Sequence, residues 1–508
     1  MLAFVIQKTR IMKRPLLLFH CLLTAAFATA AETRRPNIVF ILADDLGYGE
    51  TGCYGQKKVR TPNIDQLAAG GIRFTQAYTG TPVCAPARCN LMTGKHGGHS
   101  EIRGNLQAKV HFPEFKEGQY PLSQDALTLA AVLKKAGYAT GAFGKWGLGP
   151  VGSTGDPLKQ GFDRFFGYNC QAVAHSYYPK YLWDNDKQIL INEKPIPGSR
   201  KQPEGEVRMS DYIGQQYASH LIRREALAFI DRHKDQPFFL YLPFIEPHVA
   251  MHPPEDLVNE YPKEWDNEAY RGESAYLPHP RPRAGYAAMI TDLDRHVGAV
   301  MEALKKHGLE DNTLVIFTSD NGTTHPLKPD SHFNVGGVDS EFFNSLAGLK
   351  GFKGSLYEGG IRIPYIARFP GRIAAGTTSD FPTYFPDQFP TLCEIAGVTP
   401  PAGLDGISIL PVLRGEPTKV KRNPMIWVYP EYGGQVAVRI GDFKVMRTAI
   451  KSKNPGEWEV YDVANDRNET TDLAASQPRL IKKAISILER QWDDSNTRYS
   501  MSKAKALE

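Results

Sequence analysis

Two patterns of apolar positions alternate along this chain. Asn37 to Ala43 is an almost wholly apolar run that stops at Asp44-Asp45, and Leu314-Val315-Ile316-Phe317 likewise gives way to Asp320-Asn321. Runs of this kind mark strands buried on both faces. Between them lie helices with readable ends. Thr61-Pro62 predicts the cap and start of one that Gly70-Gly71 closes; another runs through Leu129, Val132 and Leu133 to Gly137, ahead of a strand from Tyr138 to Phe143. A longer helix is predicted from Tyr286, Met289, Ile290, Leu293, Val297, Val300 and Leu304, and a strand from Phe238 to Leu242. Alternating strand and helix imply an α/β architecture whose largely parallel sheet is covered on both faces.

The pattern changes after about Gly415. Met425 to Tyr429, Gln435 to Ile440 and Phe443 to Met446 read as short strands, the last two joined at Gly441-Asp442, and an amphipathic helix carries Leu480, Ile481, Ala484, Ile485, Leu488 and Trp492. The expected organisation is a large α/β/α domain over residues 31–415 and a small α+β subdomain with a short antiparallel sheet over 416–508, docked on the first.

The first thirty residues stand apart. Lys8, Arg10, Lys13 and Arg14 precede an apolar stretch from Pro15 to Ala31, with Ala28-Thr29-Ala30 as the cleavage site, the pattern of a secretory signal peptide. The stretch is short and broken by His20, Thr24 and Thr29, so no membrane anchor is expected, and Cys21 lacks the small neighbours of a lipidation site. The chain is therefore expected to be periplasmic or secreted. Removing four positive charges and no negative ones lowers the net charge of the 508-residue chain from +5 to +1. The basic balance thus belongs to the leader and gives no argument for nucleic-acid binding.

Candidate chemistry gathers at predicted strand ends, where open α/β sheets place their ligands. Asp44, Asp45, Asp320 and Asn321 offer four oxygen donors suited to a hard divalent cation. Lys145 follows a strand in Gly144-Lys145-Trp146, His248 lies in Glu246-Pro247-His248, and Lys353 lies in Gly351-Phe352-Lys353-Gly354. Together they suggest a ring of cations around an anion. Cys84-x-Pro86-x-Arg88 continues into x-x-Leu91-x-Thr93-Gly94. Cysteines of exported chains usually pair, yet the spacing of Cys84 to Cys89 matches no redox or zinc pattern.

This extended motif resembles the signature of the formylglycine-dependent sulfatases, the type I sulfatases of the alkaline phosphatase superfamily, in which a maturation enzyme oxidises that cysteine to an aldehyde. The resemblance spans about residues 36 to 492, including Trp458 to Asp462 and Glu469 to Leu473. It implies an alkaline-phosphatase-like fold, hydrolysis of a sulfate ester, and one Ca²⁺ held by Asp44, Asp45, Asp320, Asn321 and the residue at 84. It also implies catalytic roles for Cys84, Arg88, Lys145, His248 and Lys353, with Ca²⁺, Arg88, Lys145 and Lys353 on the sulfate oxygens and His248 or Lys353 as proton donor. Many sulfatases carry a histidine two residues after the lysine of the Gly-Lys-Trp motif; here Gly147 stands there, and His175 is the candidate replacement. The aromatic residues near it, Tyr177, Tyr178, Tyr181 and Trp183, are divided between core and a sugar-binding face, and Arg103, Asn105, His325 and His332 are polar candidates for sugar contact. A sulfated carbohydrate is the expected substrate. A phosphonate or phosphodiester hydrolase and a non-catalytic sulfoglycan-binding protein are the alternatives; Asn321, where the former tend to carry histidine, argues against the first.

Overall fold

Successive residues of β1 (Asn37–Ala43) point to opposite faces of a sheet, Val39, Ile41 and Ala43 into one apolar cluster and Ile38, Phe40 and Leu42 into another. Both faces are covered, which is why the run needs no polar alternation. The computed structural model describes residues 34–326, 333–496 and 498–508, with Met1, Ala3 and Val5; the leader expected over residues 1–30 falls almost wholly outside the described residues, as does His332. The chain divides into Met1–Arg35 and Pro36–Glu508, and the described strands and helices all belong to the second.

The other strands of the large sheet are β2 (Ile72–Tyr78), β3 (Ala139–Lys145), β4 (Arg164–Tyr168), β5 (Tyr181–Asp184), β6 (Lys187–Leu190), β7 (Phe238–Pro243), β8 (Thr313–Ser319), β9 (Arg362–Arg368), β10 (Thr377–Ser379) and β11 (Thr383–Tyr384). Their order is β10-β2-β9-β8-β1-β7-β3-β4-β5-β6, with β11 also on β2. The centre, β8-β1-β7-β3-β4, is parallel, while β9 and the β5-β6 ribbon join antiparallel. One face is covered by the helices Pro62–Ala69, Ala218–His233 and Pro282–Lys306, the other by Cys84–Thr93, Leu129–Lys135 and Gln388–Ile395. The expected mostly parallel α/β/α sheet is what forms. Pro62 opens its helix, but the Thr61 hydroxyl makes no cap bond to it; it accepts from Gly52 N and donates to Asp65.

A second, antiparallel sheet follows near the C-terminus in the order β12 (Met425–Tyr429), β13 (Gln435–Ile440), β14 (Phe443–Arg447) and β15 (Trp458–Asp462). The helix Pro478–Gln491 covers one face, through Ala484, Ile487 and Leu488 against Val436, Val438 and Val460. The opposite face, with Trp427, Tyr429, Ala437 and Met446, packs on Tyr78, Val83, Leu356 and Ile361. That second apolar face is why the strands alternate less than a solvent-facing sheet would. Cys53, Cys84, Cys89, Cys170 and Cys393 are free among the described residues.

Candidate active site

The carboxyl ends of β1, β3, β7 and β8 meet the start of the helix Cys84–Thr93, all ten residues of which are buried. Cys84 is its first residue, and its Sγ donates to Asp44 Oδ1 at 3.4 Å. Asp45, which turns the chain out of β1 with a φ of +65°, receives Lys353 Nζ on Oδ2 at 2.7 Å and Asn321 Nδ2 on Oδ1 at 2.8 Å. Lys145, the last residue of β3, reaches Asp44 Oδ2 at 2.5 Å. Arg88 bridges the two strand ends, with Nη2 3.1 Å from Asp44 Oδ2 and 2.9 Å from Asp320 Oδ2. Its Nε also donates to Asp320, and its Nη1 to the Lys145 carbonyl.

Burial alone would raise every one of these carboxyls. At Asp44 burial is outweighed by Lys145, Arg88, His248 and Lys353, which hold it well below the ordinary carboxylate range. Asp320 is instead pushed up to about 6, by burial and by the charge of Asp44, with Arg88 opposing. Burial works against the charge of Lys145 and of Lys353, but Asp44 and Asp45 respectively raise both. Burial and the neighbouring Asp44 push the Cys84 thiol far above its usual value. A thiol held neutral in this way is a poor nucleophile.

His248 Nδ1 lies 2.5 Å from the Val249 carbonyl, which can only accept, so Nδ1 carries the proton and Nε2 faces Asp45 Oδ2 at 3.6 Å. Burial, then Lys353 and Lys145, push its pKa well below the ordinary imidazole value. His175 stacks on it, ring centroids 5.0 Å apart and 10° from parallel, with Tyr276 edge-on to both rings. Burial, His248 and the two lysines push His175 down as well. The structure thus brings nine of the sequence candidates together and sets His175 against the ring of His248.

Tyr177 and Tyr178 are core, the Tyr177 hydroxyl donating to the Ile245 and His248 carbonyls at 2.9 and 2.8 Å. Tyr181 and Trp183 converge instead on Glu117, at 2.6 and 2.9 Å. Arg103 donates to the carbonyls of Ser100, Gly98 and Asp493, which ties the chain down rather than presenting the guanidinium to a ligand. Asn105 Oδ1 accepts from Ala85 N, bracing the start of the Cys84 helix.

Tyr276, Tyr432 and Gln171 have no signal in the sequence. Tyr276 and Tyr432 both adopt positive φ, +64° and +48°, which nothing in their local sequence announces. Gly147 has a φ of +79°, and a Cβ there would lie 2.6 Å from Gln171 Nε2. That amide nitrogen is buried without a hydrogen-bond partner, so Gln171 already occupies the room a side chain at 147 would need.

Comparisons with known proteins agree with this fold. The Sulfatase family profile matches residues 36–398, and that of the N-sulphoglucosamine sulphohydrolase C-terminal region matches 351–493. Arylsulfatase A of Homo sapiens is 34% identical over 444 residues, covering 83% of this chain and 77% of its own. N-acetylgalactosamine-6-sulfatase of Mus musculus is 32% identical over 429 residues, covering 82% and 72%. The crystal structure of Ps i-CgsB in complex with k-i-k-neocarrahexaose superposes with a TM-score of 0.73 at 27% identity, covering 93% of this chain and 96% of that one. With the strand-end carboxylates, the buried Cys84 helix and the surrounding cations in place, the chain belongs to the sulfatase family of the alkaline phosphatase superfamily and is a sulfuric ester hydrolase.

Proposed function

We propose that the substrate is a sulfated carbohydrate and that Cys84 acts as formylglycine beside one Ca²⁺. The observation that carries this is Cys84 itself, the first residue of a buried helix with its side chain against Asp44. As a neutral thiol it is unsuited to attack sulfur, whereas a hydrated aldehyde at the same position would supply the nucleophilic hydroxyl.

The donor set fits the metal. Asn321 Nδ2 is committed to Asp45 and to the Gly322 carbonyl, yet its Oδ1 is a buried acceptor without a partner among three carboxylates. All-oxygen ligation from Asp44, Asp45, Asp320 and Asn321 suits Ca²⁺. When bound, the cation would offset charge on sulfate and favour the ionised nucleophile.

The chain's own groups divide the remaining work. Arg88 spends its donors on Asp44, Asp320 and the Lys145 carbonyl, so it braces the carboxylates. Lys145 and Lys353 bring the positive charge that draws the sulfuryl oxygens. Lys353, held protonated against Asp45, would hand a proton to the departing alcohol oxygen, while the unprotonated Nε2 of His248 would accept one from a hydroxyl of the hydrated aldehyde. The sugar assignment is supported by the neocarrahexaose complex of Ps i-CgsB and by the likeness to an N-acetylgalactosamine-6-sulfatase. Export, inferred from residues 1–30, would bring such a polymer within reach; among the described residues no helix is long and apolar enough to cross a membrane. A formylglycine-generating enzyme is the implied partner.

Peptide mass spectrometry of active protein tests the modification, since conversion of the thiol to the aldehyde lowers the mass by about 18 Da. Activity from an unmodified thiol would refute it. Chelation should abolish turnover and Ca²⁺ restore it; stoichiometric zinc with activity restored by zinc alone would refute the metal.

A further inference from the structure

The tip between β12 and β13 presents one large aromatic side chain to solvent beside the reaction pocket. Tyr432 is 53% exposed, although tyrosine is costly to place at a φ of +48°. The tip is held from both sides. Glu431 Oε1 receives Asn105 N at 3.0 Å, and Asn105 in turn holds Ala85 N, next to Cys84. On the other side the Tyr432 ring lies over Gly354, where a Cβ would sit 2.6 Å from Cε1. Gly354 follows Lys353, the residue paired with Asp45.

Tyr432 stacks on Tyr429 with centroids 6.0 Å apart at 29°. Edge-on to it, at 5.6 Å and 85°, stands His325, whose Nδ1 is buried without a hydrogen-bond partner. A flat apolar face beside an unsatisfied ring nitrogen, both adjoining the cationic pocket, matches a particular chemistry. A pyranose offers a C–H face for the ring, and a hydroxyl that can donate to or accept from imidazole in either tautomer.

We propose that Tyr432 and His325 form the wall that receives the sugar ring bearing the sulfate, so that Tyr432 sets selectivity for cyclic sugar sulfates. This rests on the carbohydrate reading above. Tyr432 binds through contacts shared by bound substrate and transition state, so its loss should move KM more than kcat.

The experiment compares wild type with Tyr432→Gly and Tyr432→Phe on sulfated galactose, N-acetylgalactosamine and glucosamine, with 4-nitrophenyl sulfate alongside and inorganic sulfate as inhibitor. Glycine tolerates the left-handed backbone, so folding is preserved. Tyr432→Gly should raise KM for the preferred sugar about tenfold, with kcat changed far less and inhibition by inorganic sulfate unchanged; Tyr432→Phe should keep the wild-type KM. An unchanged KM in Tyr432→Gly overturns the proposal. So does a parallel loss of sulfate inhibition, which would make Tyr432 a prop for Lys353. If wild type cleaves 4-nitrophenyl sulfate and none of the sugars, the carbohydrate reading fails first and takes this one with it.

Discussion

Lys444→Met should destabilise the protein by about 3 to 4 kcal/mol, toward the lower end of what unpairing a buried ion costs. Lys444 is fully buried on β14, where Nζ donates to the Leu356 carbonyl at 2.9 Å and to Glu358 Oε1 at 2.8 Å, and lies 2.7 Å from Glu469 Oε1. At such distances each carboxylate attracts the ammonium by about 6 kcal/mol at an effective dielectric constant of about 20. Relief of the lysine's own desolvation offsets much of that. Glu358 keeps Arg362 at 3.2 Å and the Tyr78 hydroxyl at 2.8 Å, which argues for the lower end; Glu469 loses its cation. Burial already pushes Glu469 up to about 7, with Glu358 adding to it and Lys444 opposing. Because that folded value lies above the ordinary 4.5, the linked stability is present below about pH 4.5 and lost as pH rises through about 7. Removing Lys444 raises Glu469 further, so the deficit should be larger at about pH 8 than at about pH 5. Urea unfolding followed by tryptophan fluorescence would measure it, with Trp427 buried in the same sheet. Adding Glu469→Gln should recover part of the loss. A deficit below about 1 kcal/mol, or strictly additive single and double variants, would refute the reasoning.

His175→Ala should lower kcat by about 10² without changing the content of the proposed metal, and His175→Phe, which keeps the stack on His248, should separate ring support from proton transfer in the kcat profile against pH. Gly147→His should lower thermal stability, since it combines a strained φ of about 1–2 kcal/mol with a clash at Gln171; pairing it with Gln171→Ala should restore part of the melting temperature. Glu50, buried between Gly47 N at 2.6 Å and the Tyr286 hydroxyl at 2.8 Å, is pushed up from 4.5 to about 7 by burial, worth about 3 kcal/mol. That stability is full below about pH 4.5 and lost as pH rises through about 7, so Glu50→Gln should flatten the pH dependence of melting across that window.

Much of the framework is legible because its signals are local. The runs at Ile38 and Leu314 end in carboxylates where the strands end, and Cys84 to Gly94 carries its motif in one helix. The hairpin at Gly441-Asp442 pairs Ile440 with Phe443 as the turn residues require. What escaped depends on partners far along the chain. Tyr177 reads as a possible sugar face until its hydroxyl meets the His248 carbonyl, and Tyr181 and Trp183 until Glu117 claims both. Gln171 gains meaning only against Gly147, and Tyr432 only because Asn105 and Gly354 fix its tip beside Lys353. The loop carrying His175 follows the Gly144-Lys145-Trp146 segment in sequence, but the parallel contact of His175 with His248 has no one-dimensional signal.

If Cys84 is converted as proposed, the burial of its helix sets an order of events during biosynthesis. All ten of its residues are enclosed, and Cys84 itself is 1% exposed. Among its neighbours are Asp320, Lys353 and Tyr429, from segments that follow it by more than two hundred residues. A maturation enzyme of the kind proposed would therefore have to take this stretch as an extended chain, before the later segments have closed around it. The rate of folding would then govern what fraction of molecules carries the proposed aldehyde, and a chain that folds too quickly would be stable and inert.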